Sequence, residues 1–184
     1  VELAAAAAVA RVGGVVDHRV VTVSALAELG GNALTGEEAV ASGVRAADAL
    51  PSTFVPGRNL VFLTLAGAWA YQLGFAALVT GVCEADFSGY PDCRDETMRA
   101  LEAALCAGMA APLRIHTPLM HLDKAASVHL ARELDALPLL AHSHTCYNGA
   151  VPPCGACPAC TLRARGFAAA GIADPLLVRL AEEA

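Results

Sequence analysis

The order of apolar and polar positions along the chain predicts helices that alternate with short strands. Apolar residues recur at helical spacing, which predicts helices over residues 2–12, 58–73 and 124–134, and another that follows Asp95 and runs to about Met109. Short runs rich in β-branched or other apolar residues predict strands over 19–23, 76–82 (a buried one) and 113–116. Asp95 and Asp123 stand where each can cap the helix that follows it. This alternation predicts an α/β fold with a mainly parallel sheet.

One uncharged stretch, from Leu60 to Cys83, is long enough to cross a bilayer. Gln72, Gly74 and Gly81 interrupt it, however, and Gly74 is a typical helix end. A helix followed by a buried strand gives the same hydropathy as a membrane span, and no other segment resembles a span. We therefore predict no membrane partner. Near the start of the chain, Glu2 and the lack of a cleavage site predict a helix and not a signal peptide.

Composition and charge exclude two classes of protein. Of the 184 residues, 56% are apolar and 16% are charged, which excludes an intrinsically disordered chain. The 18 acidic residues outnumber the 12 basic ones and give a net charge of −6. A protein that binds nucleic acid by covering phosphates with positive charge has the opposite balance, so we expect no nucleic-acid partner.

The strongest chemical signal is a cluster of cysteines near the C-terminal end. Its spacing is C-x7-C-x2-C-x2-C, formed by Cys146, Cys154, Cys157 and Cys160. Glycines and prolines between them allow the four thiolates to converge on one tetrahedral metal. Zinc as a closed structural ion is the first interpretation, and an iron–sulfur cluster is the alternative. The odd total of seven cysteines argues against a disulfide framework.

Two polar segments are candidate ligand sites. In residues 51–59 two prolines fix an extended loop, and Arg58 and Asn59 open a helix, which favours an anion site. The alternative there is an ordinary cap and a surface charge. Residues 84–94 follow a predicted parallel strand at its carboxyl end, where α/β proteins bind ligands. Their carboxylates, aromatic rings, hydroxyl and arginine could hold a planar heterocycle, although a solvated loop is the alternative.

Lys124, the one lysine of the sequence, stands at a predicted helix start. A cation is mildly unfavourable at that end of a helix, so a phosphate or carboxylate could require it there. The alternative is a chance surface lysine.

These segments together resemble one enzyme family. PSTFVPGRN, GVCEADFSGYPDCR, TPLMHLDKA and CYNGAVPPCGACPACTLRARGF are similar, in the same order, to the 7-cyano-7-deazaguanine synthases. The resemblance covers residues 2 to about 176. The cysteine block combined with GYPDCR is far more specific than four cysteines alone.

The resemblance implies a cytoplasmic, ATP-dependent ligase of queuosine biosynthesis. Such enzymes convert 7-carboxy-7-deazaguanine and ammonia into the nitrile through adenylated intermediates, using ATP with Mg²⁺ and a structural Zn²⁺. It also implies a homodimer. The implied fold is a doubly wound, mainly parallel sheet of the adenine-nucleotide α-hydrolase-like (Rossmann-like) type. The nucleotide and substrate domain would occupy residues 1–141, with a zinc-binding segment over 142–184.

The resemblance also implies a set of site residues. The four clustered cysteines match the zinc ligands. The residues expected near the nucleotide are Ser52, Arg58, Asn59 and Lys124. Those expected near the deazapurine are Asp86, Ser88, Tyr90, Asp92 and Arg94.

The chain departs from the family pattern at two places. The family's first strand and its Ser-Gly-Gly-x-Asp-Ser loop, which grips pyrophosphate, have no counterpart in these 184 residues. On that basis we expect this length of chain to be inactive alone. His144 stands near Cys146, where the family typically has a tryptophan, and it could compete as a metal ligand.

Two alternatives remain open at this point. One is another ATP-dependent adenylating enzyme of the same superfamily. The other is a non-catalytic zinc-ribbon module that binds protein or RNA. The acidic charge and the lack of a basic, aromatic-rich face argue against the second.

Overall fold

The computed structural model describes all residues except 37–39, 41–43, 45–48, 86–88 and 184. Its helices are α1 (Glu2–Val12), α2 (Ala25–Glu28), α3 (Arg58–Gln72), α4 (Asp95–Met109), α5 (Lys124–Glu133), α6 (Leu137–Leu140), α7 (Pro158–Ala170) and α8 (Pro175–Glu182). A 3₁₀ turn covers Pro91–Cys93, and the strands are β1 (Ala77–Val79) and β2 (Arg114–His116). The chain divides into two compact units. The first comprises Val1–Glu28, Glu37–Ser42 and Lys124–Ala184, and the second Leu29–Gly36 and Gly43–Asp123.

The second unit has a mixed α/β core around a parallel strand pair. β1 and β2 run parallel with Leu78 opposite Ile115, and α3 and α4 pack on them and on each other. Gly67 favours close packing of α3, because a Cβ there would lie 3.3 Å from the side chains of Leu105 and Leu113, a tight contact. The buried residues of this core are Leu63, Ala70, Met98, Leu105, Leu113, Ile115 and Met120.

Glu102 joins α4 to β2 within this core. Its carboxylate accepts a hydrogen bond from the backbone N–H of Ile115 at 2.7 Å and another from the Arg114 guanidinium at 3.0 Å. These bonds lower the pKa of Glu102, mainly through the Ile115 N–H. A charged Glu102 therefore stabilises the packing of helix on strand.

The first unit is helical and has α7 at its centre. α5 packs on α7 where Gly166 meets the backbone of Lys124. Further along α7, the buried Arg163 guanidinium binds both carboxylate oxygens of Asp174, at 2.6 and 2.8 Å. Asp174 also accepts from the N–H of Leu176 and so caps α8. This double role of one aspartate fixes α8 against α7.

The predicted helices are confirmed, together with the parallel pairing of two strands. The predicted strand at 19–23 is wrong, because these residues pair with no strand in the described part of the chain. Val20 and Val21 are more than half exposed. The β-propensity of such residues depends on a neighbouring strand and on partial burial. The described residues supply no partner strand, and only Val23 of this segment is partly buried.

Three finer expectations also need correction. β1 is shorter than predicted, and Ala77 and Val79 on it are exposed where we expected a buried strand. Asp95 is the first helical residue of α4 and not its cap, and its carboxylate pairs with Arg99 one turn on.

The uncharged stretch from Leu60 to Cys83 raised the question of a membrane span. None of the described helices has the length and apolar character that a membrane crossing needs.

Candidate metal centre and candidate ligand loops

The four clustered cysteines converge in space. Their sulfur atoms all lie within 4.8 Å of one another, and the sulfurs of Cys154 and Cys160 are 3.9 Å apart. A tetrahedral zinc ion with Zn–S bonds of about 2.3 Å sets its sulfurs about 3.8 Å apart. The donor set and its dimensions therefore fit zinc, with all four positions filled by protein.

Local chain geometry explains this convergence. Gly149 and Gly155 adopt positive φ values of 64° and 70°, which are readily accessible to glycine and turn the chain twice between the first and third cysteines. Cys157 then occupies the N-cap position of α7, and Cys160 lies in the first turn of that helix. The beginning of α7 thus places two sulfurs side by side.

The thiols of the cluster differ in acidity. The pKa of Cys154 falls to about 6, because backbone N–H groups of Ala156 and Cys157 donate to its sulfur. Burial, reinforced by the Cys157 side chain, raises the pKa of Cys160 to about 12. A bound cation would deprotonate Cys160, since a coordinating thiol is held as thiolate. The site therefore combines a sulfur that is ready to bind with one that ionises only on binding.

His144 is not a member of this group. Among the described residues, the sulfur cluster that could hold a metal contains only the four cysteines. The Nε2 atom of His144 is buried without a hydrogen-bond partner, as is the hydroxyl of Thr145 beside it. The geometry of the described residues therefore does not support His144 as a competing metal ligand.

The two polar segments of the second unit lie against each other. The hydroxyls of Thr53 and Tyr90 are 2.6 Å apart in a buried hydrogen bond. The rings of Phe54 and Tyr90 stack with centroids 6.0 Å apart, and the Arg58 guanidinium lies 5.5 Å from the centre of the Tyr90 ring. One tyrosine therefore connects three residues of the 51–59 loop.

A second connection lies at the start of α3. The buried carboxylate of Asp92 accepts a hydrogen bond from the backbone N–H of Asn59 at 3.0 Å. The Asn59 side-chain amide donates to the sulfur of Cys93 at 3.2 Å. The N–H that we expected to be available for an anionic ligand is thus bonded to a carboxylate of the protein itself.

The remaining predicted site residues are placed as follows. The Ser52 hydroxyl is buried without a hydrogen-bond partner, while its carbonyl accepts from the N–H of Ala33. Arg94 is exposed, 3.8 Å from Glu96. Lys124 is the first residue of α5 and belongs to the first unit. Asp86 and Ser88 lie outside the described residues.

Sequence reasoning missed four residues that shape these sites. Thr53 and Cys93 anchor the two loops, and their position inside the matched motifs was the available signal. Arg163 follows the cysteine cluster in the sequence, and its side chain is 12% exposed and pairs with Asp174. An Asp-Pro pair before a helix is typical of a cap, which was the signal for Asp174.

Comparison with known proteins decides the family. Residues 1–171 match the family described as "Queuosine biosynthesis protein QueC". The chain belongs to this family. Among curated members, the 7-cyano-7-deazaguanine synthase of Laribacter hongkongensis is 57% identical over 98% of this chain and 79% of its own length. The one from Chromobacterium violaceum is 56% identical over 100% of this chain and 79% of its own length.

Membership of the QueC family confirms the resemblance found in the motifs. The matching residues include both the loops of the second unit and the cysteine cluster of the first. Neither the zinc-ribbon module nor another adenylating enzyme is favoured by these matches.

Proposed function

We propose that this protein is a 7-cyano-7-deazaguanine synthase, a carbon–nitrogen ligase of queuosine biosynthesis. The observation that carries the proposal is identity of 56–57% to two proteins of that name over essentially the whole chain. The pairing of the 51–59 loop with the 90–94 segment supports it, because both contain residues expected near nucleotide or substrate. A cytoplasmic location and a homodimer are part of the same proposal.

The proposed reaction has two activation steps. The carboxylate of 7-carboxy-7-deazaguanine attacks ATP, releases pyrophosphate and forms an acyl adenylate. Ammonia then displaces AMP and leaves the amide. A second ATP adenylates the amide oxygen and releases a second pyrophosphate. Departure of AMP with loss of the remaining nitrogen-bound protons then gives the nitrile. The doubly wound sheet of the family would carry the nucleotide.

We propose that four residues lie near the nucleotide: Ser52, Arg58, Asn59 and Lys124. The Arg58 guanidinium lies over the Tyr90 ring, and no carboxylate of the described residues pairs with it, so it is available to bind an anion. Arg94 is exposed and only loosely paired, and we propose it near the acid together with Asp86, Ser88, Tyr90 and Asp92.

The proposed metals have separate roles. Zinc on Cys146, Cys154, Cys157 and Cys160 would be structural, because four protein ligands leave no position for water or substrate. It would hold the 146–160 segment to the start of α7. The described residues contain no cluster of three carboxylates or imidazoles, so Mg²⁺ would come with the phosphates of ATP.

The test of the activity is a product assay on the natural protein. Incubation with ATP, Mg²⁺, ammonia and 7-carboxy-7-deazaguanine should release AMP and pyrophosphate and form the nitrile, detected by mass spectrometry. Omitting the acid is the control and should stop AMP release. AMP formed equally well with an unrelated carboxylic acid would contradict the proposed substrate. Tight RNA binding at physiological salt, without any AMP formed, would favour the alternative of a non-catalytic zinc-ribbon module.

The test of the metal is elemental analysis of purified variants. We expect about one zinc per chain in the wild type and a loss of most of it in Cys157→Ser, because thiolate ligands cannot be replaced by a hydroxyl. Cys83→Ser is the matched control, since Cys83 is a buried thiol outside the cluster. Iron in place of zinc, together with visible absorption, would support the alternative of an iron–sulfur cluster.

A further inference from the structure

Tyr90 and Asp92 face the protein and not a ligand. Their exposed fractions are 8% and 5%, although both lie in the loop expected to receive the flat substrate. A ring that stacks on a heterocycle, or a carboxylate that binds its edge, needs an open side. Their polar atoms instead bond to Thr53 and Asn59 of the other loop.

The Tyr90 ring is a support for Arg58. The guanidinium lies 5.5 Å from the ring centre, within the range of a cation–π contact. Phe54 stacks against the same ring, and the hydroxyl of Tyr90 is bonded to Thr53, so the ring orientation is fixed at two points. Whatever binds the Arg58 guanidinium therefore meets a preoriented group.

Asp92 fixes the backbone that carries Arg58. The N-cap residue of α3 is Gly57, which has no side chain to cap the helix. Asp92 supplies the missing acceptor from a distant segment by bonding to the N–H of Asn59, the second residue of the helix. Its negative charge also suits the positive end of the α3 dipole.

We infer that Tyr90 and Asp92 are positioning residues that hold Arg58 to bind the anionic part of a substrate, either an ATP phosphate or the carboxylate of the acid. The inference rests on the proposed function for the identity of those two substrates. It changes the expected roles of Tyr90 and Asp92 from contact with the deazapurine to support of the residue that makes contact.

The Thr53–Tyr90 pair is tested by a double-mutant cycle. Tyr90→Phe and Thr53→Val should each raise the KM for ATP or for the acid about fivefold, the loss expected for one buried hydrogen bond. The double variant should also lose only about fivefold and not about 25-fold, because both changes break the same bond. Arg58→Ala identifies which of the two substrates Arg58 binds, because the KM for that substrate should rise. Arg99→Ala, a change at an exposed pair, is the control.

Asp92 is tested by its conservative variant. Asp92→Asn keeps an oxygen that can accept from the Asn59 N–H, so it should retain the KM within about threefold, whereas Asp92→Ala should raise it about tenfold. A carboxylate that binds substrate or moves a proton would fail equally in both variants.

The outcomes separate the inference from the proposed function. A wild-type protein that ignores the acid contradicts the proposed function, and the affinity for ATP, measured by calorimetry in the same variants, then decides the inference. Additive losses from Tyr90→Phe and Thr53→Val, equal failure of both Asp92 variants, or unchanged affinities for both substrates in Arg58→Ala would overturn it.

Discussion

At the residue scale, side chains act through partners that are distant in the sequence. The cysteine spacing predicted the candidate metal centre, because four sulfurs within fifteen residues of chain are close enough to bind one metal ion. The burial of Tyr90, Asp92 and Arg163 could not be predicted in this way. Each depends on a partner 11 to 37 residues away, and no local pattern specifies that distance.

Arg163→Ala should destabilise the first unit strongly. The pair with Asp174 is 12% and 8% exposed, and removing one partner leaves a buried charge at a cost of about 3 kcal/mol. The Asp174 carboxylate would still cap α8, so the loss should appear in stability and not in helix content. Urea unfolding measures it.

The control for that change is Arg99→Ala. Arg99 is 79% exposed, and its pair with Asp95 should contribute no more than about 0.5 kcal/mol. Equal losses from the two variants would show that burial of the Arg163 pair adds nothing.

At the scale of elements, the periodicity of the sequence predicted which segments are helices but not how closely they pack. α3 and α4 carry the expected apolar faces, and their bounds differ from the prediction by one residue or none. The strand at 19–23 shows the limit of this reasoning. A strand is defined by its pairing partner, and β-branched composition does not supply one.

Glu102→Gln should weaken the contact of α4 with β2 in a pH-dependent manner. The pKa of Glu102 is lowered in the folded protein, so its stabilising effect is present above the unfolded pKa of about 4.3 and is lost as the pH falls through the folded value. We expect a deficit of about 1 kcal/mol at pH 7 that closes at low pH. Urea titrations at several pH values measure it, and a constant difference would contradict it.

Gly166→Ala should destabilise the contact of α5 with α7. A Cβ at Gly166 would lie 2.7 Å from the Cβ of Lys124, so one of the helices must shift, at a cost of about 1–3 kcal/mol. Gly108→Ala in α4 is the control. A Cβ there meets nothing within 4 Å, and the change should stabilise by about 0.5–1 kcal/mol. Thermal unfolding of both variants compares them, and a stable Gly166→Ala would contradict the close approach.

At the scale of the whole molecule, the family could be identified from motifs before any coordinate was known. The four quoted segments lie in both compact units, which is why a resemblance spread over the chain was more informative than any single site. The domain boundary after residue 141 stays a prediction, and the compact units group residues 124–141 with the cysteine segment. α5 and α6 group with the cysteine segment because α5 packs on α7, a contact that sequence proximity does not reveal.

Removal of the proposed zinc should destabilise the first unit as a whole. A metal ion binds a closed thiolate site well only when the chain is folded. Chelation at neutral pH should therefore lower the Tm by about 10 °C, equivalent to roughly 3 kcal/mol in a chain of this size. Calorimetry with and without chelator measures the shift, and adding zinc back should reverse it. An unchanged Tm would show that the sulfur cluster contributes little to the fold.

Three residues of α7 meet three different neighbours. Cys160 contributes to the sulfur cluster, Arg163 binds Asp174, and Gly166 receives the backbone of Lys124. They follow one another at intervals of three, and each residue added to a helix rotates everything after it by about 100°. An insertion or deletion between positions 160 and 166 would therefore turn the later residues away from their neighbours. This stretch can vary in composition at its exposed positions, but its length is fixed.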